Sequence, residues 1–199
     1  MECYHTVYTE GTGEIVEKKS RFIAEVFPVS NEEEAFAHLE EIRKRNWDAR
    51  HHCWAYVIGR NPAAERMSDD GEPAGTAGKP ILGQMLSNEI TDCLIVVVRY
   101  FGGTKLGVPG LISAYKESAA AVIEAANVVE RTVDTHFKIE FSYIVMNDVM
   151  RIIKEEQPTI VEQIFDNLCE MHLSIRKSRA DIVEGRLRKV EGAIVEVIE

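Results

Sequence analysis

The stretch Ser68-Asp69-Asp70-Gly71-Glu72-Pro73 places three carboxylates within four positions of a 199-residue chain. Acids gathered on one loop can hold a divalent cation, Mg²⁺ foremost, or share general acid and base work. An EF-hand is excluded, because the acids are adjacent and no Glu follows six positions after the glycine. The same residues also suit a turn with Asx hydrogen bonds and Gly71 at positive φ. Asp69, Asp70 and Glu72 therefore stand as a candidate acidic or metal loop beside a purely structural use.

Two glycine-rich stretches each run into a helix start: Gly75-Thr76-Ala77-Gly78-Lys79 and Gly102-Gly103-Thr104-Lys105-Leu106-Gly107. Backbone amides at a helix amino terminus, with a lysine alongside, can cradle a phosphate. Neither stretch is a Walker loop or a Rossmann fingerprint, and tight strand-to-helix turns use glycine in the same way. His51 and Cys53 share one strand face, but i and i+2 side chains stand roughly 6.5–7 Å apart, too far for a thiol–imidazole pair. Cys53 reads as core and His51 as a polar residue at the mouth of a site. No G-x-S-x-G elbow and no H-E-x-x-H occurs.

Hydropathy patterning supplies the elements that must position these residues. Alternation over 15–29 predicts a hairpin or a bent pair of strands. Asn31 reads as the N-cap of a helix with Glu32-Glu33-Glu34 at its start and Arg43-Lys44-Arg45 at its end. Residues 51–59 predict a buried strand, and the Asn-, Pro-, Asp- and Gly-bearing segment 60–75 an irregular one. A short helix is expected from Lys79-Pro80 to about Asn88, a central strand over 93–100, and the longest helix from Pro109 to near Asn127. Trp47 and Trp54 flank the His51 strand, as reporters of a ligand or as core. The pattern restarts at Val133–Asp134. Strand (136–143), helix (147–156), strand (159–165), strand (170–176), helix (179–189) and strand (193–198) give a βαββαβ order, which is ferredoxin-like. The fold class expected is α+β, with domains at 1–133 and 134–199.

Composition bounds the rest. With 45% hydrophobic and 28% charged residues, the chain can bury a core and is not disordered. The stretch Met1-Glu2-Cys3-Tyr4-His5 lacks the basic and apolar regions of a secretory leader, and no apolar run approaches ~20 residues. Cysteines at 3, 53, 93 and 169 contain no C-x-x-C pair, so reduced thiols and a cytoplasmic location are expected. Net charge is −10, which argues against indiscriminate binding to nucleic acid or acidic membranes. Against that average, 99–116 carries Arg99, Lys105 and Lys116 with no carboxylate. The stretch 176–189 carries six cations against Asp181 and Glu184.

The strings Asp48-Ala49-Arg50-His51-His52-Cys53-Trp54-Ala55-Tyr56, Ser68-Asp69-Asp70-Gly71-Glu72-Pro73-Ala74-Gly75-Thr76-Ala77-Gly78-Lys79-Pro80 and Val96-Val97-Val98-Arg99-Tyr100-Phe101-Gly102-Gly103-Thr104-Lys105-Leu106-Gly107 resemble the IMPACT/YigZ family in order and spacing. The resemblance covers nearly the whole chain. One departure is Pro109, where many relatives carry glycine, and it suits a helix start. The resemblance implies an amino-terminal α/β sandwich like the second domain of ribosomal protein S-five. It implies a carboxy-terminal ferredoxin-like domain similar to the last domain of elongation factor G. It also implies a link to translation, since the eukaryotic namesake regulates initiation, but it supplies no catalytic residues.

Three functions are carried forward. The first is a non-enzymatic, cytosolic translation-linked regulator or accessory factor, binding RNA, the ribosome or a translation-related protein. Its ligand-binding residues would be His51, Lys79, Arg99, Gly102, Gly103, Thr104 and Lys105, with Arg99 and Lys105 meeting phosphates. It would need no cofactor, no membrane and no specific DNA. The second is an Mg-dependent enzyme acting on a small phosphorylated substrate with the acidic loop 69–72. The third is a protein-interaction module using the basic helix at 176–189.

Overall fold

The computed structural model describes residues 3–60 and 62–198; Met1 and Glu2 of the amino-terminal stretch, Asn61 of the polar segment, and Glu199 lie outside them. The chain divides into two units, Tyr4–Arg131 and Thr132–Glu199 with Met1–Cys3.

In the first unit the strands and helices run β1 (Cys3–Val7), β2 (Gly11–Glu17), β3 (Ser20–Pro28), α1 (Glu32–Arg45), β4 (His51–Ile58), β5 (Ala64–Ser68), α2 (Gly78–Ser87), β6 (Cys93–Tyr100), α3 (Gly107–Ala125) and β7 (Val128–Thr132). The main sheet has the order β2-β3-β6-β4-β5, and its neighbours are antiparallel. β6 lies at its centre, which explains its unbroken apolar sequence. Ile95 and Val97 join Phe22, Cys53, Ile81, Met85, Leu111 and Tyr115 on the α2/α3 face. Leu94, Val96 and Val98 join Trp54, Tyr56, Leu39 and Ile42 on the α1 face. β1 and β7 form a separate two-stranded ribbon.

Local chemistry sets the element ends. The Asn31 side chain accepts from Glu34 N at 2.9 Å, and the Glu34 carboxylate returns to Ser30 N at 2.7 Å, so α1 is capped reciprocally. Lys18 (φ 46°) and Lys19 (φ 68°) make the two-residue turn between β2 and β3. Both lie in the left-handed region that Asn-Gly usually fills, so the hairpin lacks its usual sequence signal. The segment 60–75, expected to be irregular, contains β5. Antiparallel pairing from Trp54–Ser68 to Ile58–Ala64 holds this exposed edge strand through backbone hydrogen bonds, which require no apolar alternation.

The second unit comprises β8 (Asp134–Phe141), α4 (Met146–Glu156), β9 (Thr159–Phe165), β10 (Cys169–Arg176), α5 (Lys177–Leu187) and β11 (Ile194–Ile198). Its sheet order, β11-β8-β10-β9, is the ferredoxin-like arrangement. Phe137, Ile139, Met171, Leu173 and Val195 point to one face and pack on Val149, Ile152, Val183 and Leu187 of the two helices. The other face carries Lys138, which meets Glu140 at 2.9 Å and Glu170 at 3.0 Å.

Between the helices, Glu156 accepts from Arg179 and Arg186, each at 2.5 Å. The Arg186 hydrogen bond, with the charge of Arg179, holds the Glu156 carboxyl below its ordinary range. A carboxylate lowered on folding stabilises the protein above its unfolded pKa and loses that contribution as pH falls through the folded one. Glu156→Gln should therefore lower the urea midpoint at neutral pH, and the gap to the unsubstituted protein should close as pH falls below the ordinary carboxylate range. A gap between the two that stays constant with pH would contradict this.

Candidate functional site

Sheet topology brings four connections to one end of the five-stranded sheet. Arg21 of β3 pairs with Tyr100 of β6, and Arg99 pairs with His51 of β4. The turn 18–19, the loop 46–50, the loop 69–77 and the loop 101–106 all leave the sheet there. Side chains bind these loops to one another. The Tyr100 hydroxyl meets Asn46 Oδ1 at 3.2 Å and Asp48 Oδ1 at 3.1 Å. His52 N donates to Asp70 Oδ2 at 2.7 Å, and His52 Nε2 donates to the Asn46 carbonyl at 3.1 Å. Gly102 sits so close to the β2–β3 turn that an added Cβ would lie 2.0 Å from the Lys19 carbonyl carbon. Only glycine fits that approach.

The acidic string is turned inward. Asp69 accepts from Gly75 N (2.8 Å), Ala77 N (3.0 Å) and Gly78 N (2.9 Å), filling the amino terminus of α2 with its own carboxylate. The first glycine stretch thus corrects the phosphate-cradle expectation at 75–79: the amides that would meet a phosphate already hold Asp69. Lys79 itself is exposed. Asp69→Ala leaves three donors without that acceptor and should cost about 2 kcal/mol in urea unfolding, with Asp69→Asn costing less. An unchanged midpoint for the alanine variant would rule out this capping role.

Asp70 (φ 40°) faces His52 and, at 3.5 Å, Arg43, while its carbonyl accepts from His51 Nδ1 at 2.9 Å. A carbonyl only accepts, so Nδ1 carries the His51 proton and Nε2 is left for other partners. Glu72 is buried and accepts from Arg99 Nη1 at 2.6 Å and from the Tyr115 hydroxyl at 2.9 Å. Cys53 Sγ lies 3.3 Å from that hydroxyl and 3.0 Å from the Asp69 carbonyl. Burial pushes the Cys53 thiol far up, out of nucleophile range.

The structure therefore does not bring the candidate acids together: Asp69, Asp70 and Glu72 face three different sets of partners. Among the described residues no group of three or more His, Cys, Asp or Glu is placed to hold a metal. Arg99, expected at a phosphate, is instead a buried counter-ion of Glu72, because its strand position faces the α2/α3 core. Its guanidinium lies 5.5 Å from the Phe22 ring and 5.7 Å from the Phe101 ring. Gly103 (φ 88°), Thr104 and Lys105 are exposed, as the ligand reading requires of them.

Around these residues the fold adds others that spacing alone did not single out. Lys18, Lys19, Lys44 and Arg50 reach the same sheet end as Lys79 and Lys105. All six are exposed and make no ion pair among the described residues. Trp47 stands among them at 81% exposure and Phe101 at 57%, whereas Trp54 is core. The signal that could have found them is strand register, which local sequence patterns do not carry.

Residues 18–123 match the family model described as the Impact N-terminal domain. Over 214 aligned positions the chain is 36% identical to the IMPACT family member YvyE of Bacillus subtilis, covering 100% of this chain and 99% of that one. It is 40% identical over 128 residues to the IMPACT family member YigZ of Escherichia coli, 63% of each chain. A crystal structure of a hypothetical protein superposes with a TM-score of 0.73 at 28% identity, covering 100% of this chain and 98% of that one.

Proposed function

The chain belongs to the IMPACT family, and from that premise we propose that it is a translation-linked regulator or accessory factor that binds RNA through the loop end of its five-stranded sheet. The translation link is what membership of this family implies. The observation that supports RNA is charge. A chain of net charge −10 collects Lys18, Lys19, Lys44, Arg50, Lys79 and Lys105 on one sheet end, without ion-pair partners among the described residues. Of the carboxylates near them, Asp69, Asp70 and Glu72 are held by protein donors, while Glu17 beside Lys18 is exposed and makes no ion pair among the described residues. Such a cluster suits a phosphate backbone and gives oriented, salt-sensitive binding.

The alternatives have less support. A magnesium-dependent enzyme needs Asp69, Asp70 and Glu72 to face one ion, and they do not converge. The basic stretch 176–189 is partly neutralised, since Arg179 and Arg186 pair with Glu156 and Arg188 pairs with Glu184 at 2.8 Å. No helix among the described residues is long and apolar enough to cross a membrane.

The test is recovery of the tagged full chain from lysate at low and moderate salt, with RNA and protein both identified. Ribosomal RNA that is retained at low salt and lost as salt rises is the expected result. Absence of RNA at low salt overturns the proposal.

A further inference from the structure

Resting on that reading, we propose that the RNA taken by the loop end is single-stranded, with unpaired bases stacking on Trp47 and Phe101. Both rings are exposed, at 81% and 57%, and both are mounted on fixed supports. The residues on either side of Trp47 hydrogen-bond through their side chains to the Tyr100 hydroxyl. Phe101 follows Tyr100 directly, with the buried Arg99 guanidinium 5.7 Å from its ring. Gly102 then seats the chain against the Lys19 backbone. The backbone that carries the two rings is thus fixed at the sheet end, which limits the ordering left to do on binding.

The flanking charges decide what kind of partner fits. Cations outnumber acids on the segments that carry or flank the two rings: Lys18, Lys19, Lys44, Arg50 and Lys105 stand exposed there, against Glu17 and Asp48. Lysine is depleted in protein–protein interfaces, whereas ammonium groups interleaved with aromatic faces suit a phosphate backbone with splayed bases. A duplex hides its base faces within the stack, so it could use the lysines but not the rings.

The experiment is fluorescence anisotropy of a labelled RNA of about twelve nucleotides, single-stranded or as a duplex, titrated with the full chain over a salt series. The unsubstituted protein should prefer the single strand by about tenfold and quench its indole emission on binding. Trp47→Ala should lower single-strand affinity by about tenfold with an unchanged salt slope. Lys105→Gln should instead reduce the slope by about one. Because Trp47 is exposed, its removal should leave the unfolding midpoint in place. Equal affinity for single strand and duplex overturns the proposal, as does a Trp47→Ala, Phe101→Ala double variant that binds normally; either leaves the loop-end RNA reading standing. Failure of the unsubstituted protein to bind either form overturns both.

Discussion

Reversing Lys44 and Lys105 together to glutamate is expected to weaken RNA binding by about a hundredfold at ~50 mM salt. Each lysine that no longer neutralises a phosphate forfeits a counterion-release contribution of about tenfold. Both side chains are exposed and make no ion pair among the described residues, so the reversal should not disturb the fold. The salt slope should fall by about two, and the effect should shrink as salt rises. The check is the anisotropy titration repeated at several salt concentrations, with circular dichroism as a folding control. Unaltered affinity would remove these lysines from the interface. Reversal of Arg176 and Lys177 on the second unit, in the same assay, should change little.

The second large effect concerns stability. Glu72 and Arg99 meet at 2.6 Å with side-chain exposures of 3% and 8%. Glu72→Ala strands a guanidinium whose Nε already lacks a partner and should cost about 3–5 kcal/mol. It also removes the acceptor of the Tyr115 hydroxyl. Arg99→Met should cost a similar amount by stranding the carboxylate. The double variant Glu72→Leu, Arg99→Met should cost much less than the sum, because a buried ion pair is weak in net terms while half of one is costly. Urea unfolding of the four proteins measures the coupling. Additive losses would show that the two groups act independently.

Much of the fold was legible because its elements obey local rules. The cap at Asn31, the apolar run over 93–100 and the βαββαβ order of the second unit each rest on residues close in sequence. What was hidden depends on pairing across distance. β5 has no apolar periodicity and exists because β4 offers it hydrogen bonds. The Lys18–Lys19 turn lacks the glycine that usually marks such a hairpin.

The candidate site divides along the same line. His51 and the stretch Gly102–Lys105, singled out by residue type, stand at the loop end of the sheet. Asp69 is readable as a turn residue, but its capture of three amides up to nine residues away is not. Arg99 reads as a surface cation because nothing nearby in sequence neutralises it; its partner, Glu72, lies 27 residues away. Trp47 and Trp54 share the same two readings in sequence, and burial alone separates them.

The most direct test of the account is an amide chemical-shift map of the full chain on addition of single-stranded RNA. Loop-end binding predicts shifts at Lys18–Lys19, across 44–51 and across 101–106, with α5 and the rest of the second unit left in place. Shifts gathered on 176–189, or none at RNA concentrations that saturate the anisotropy signal, would contradict it.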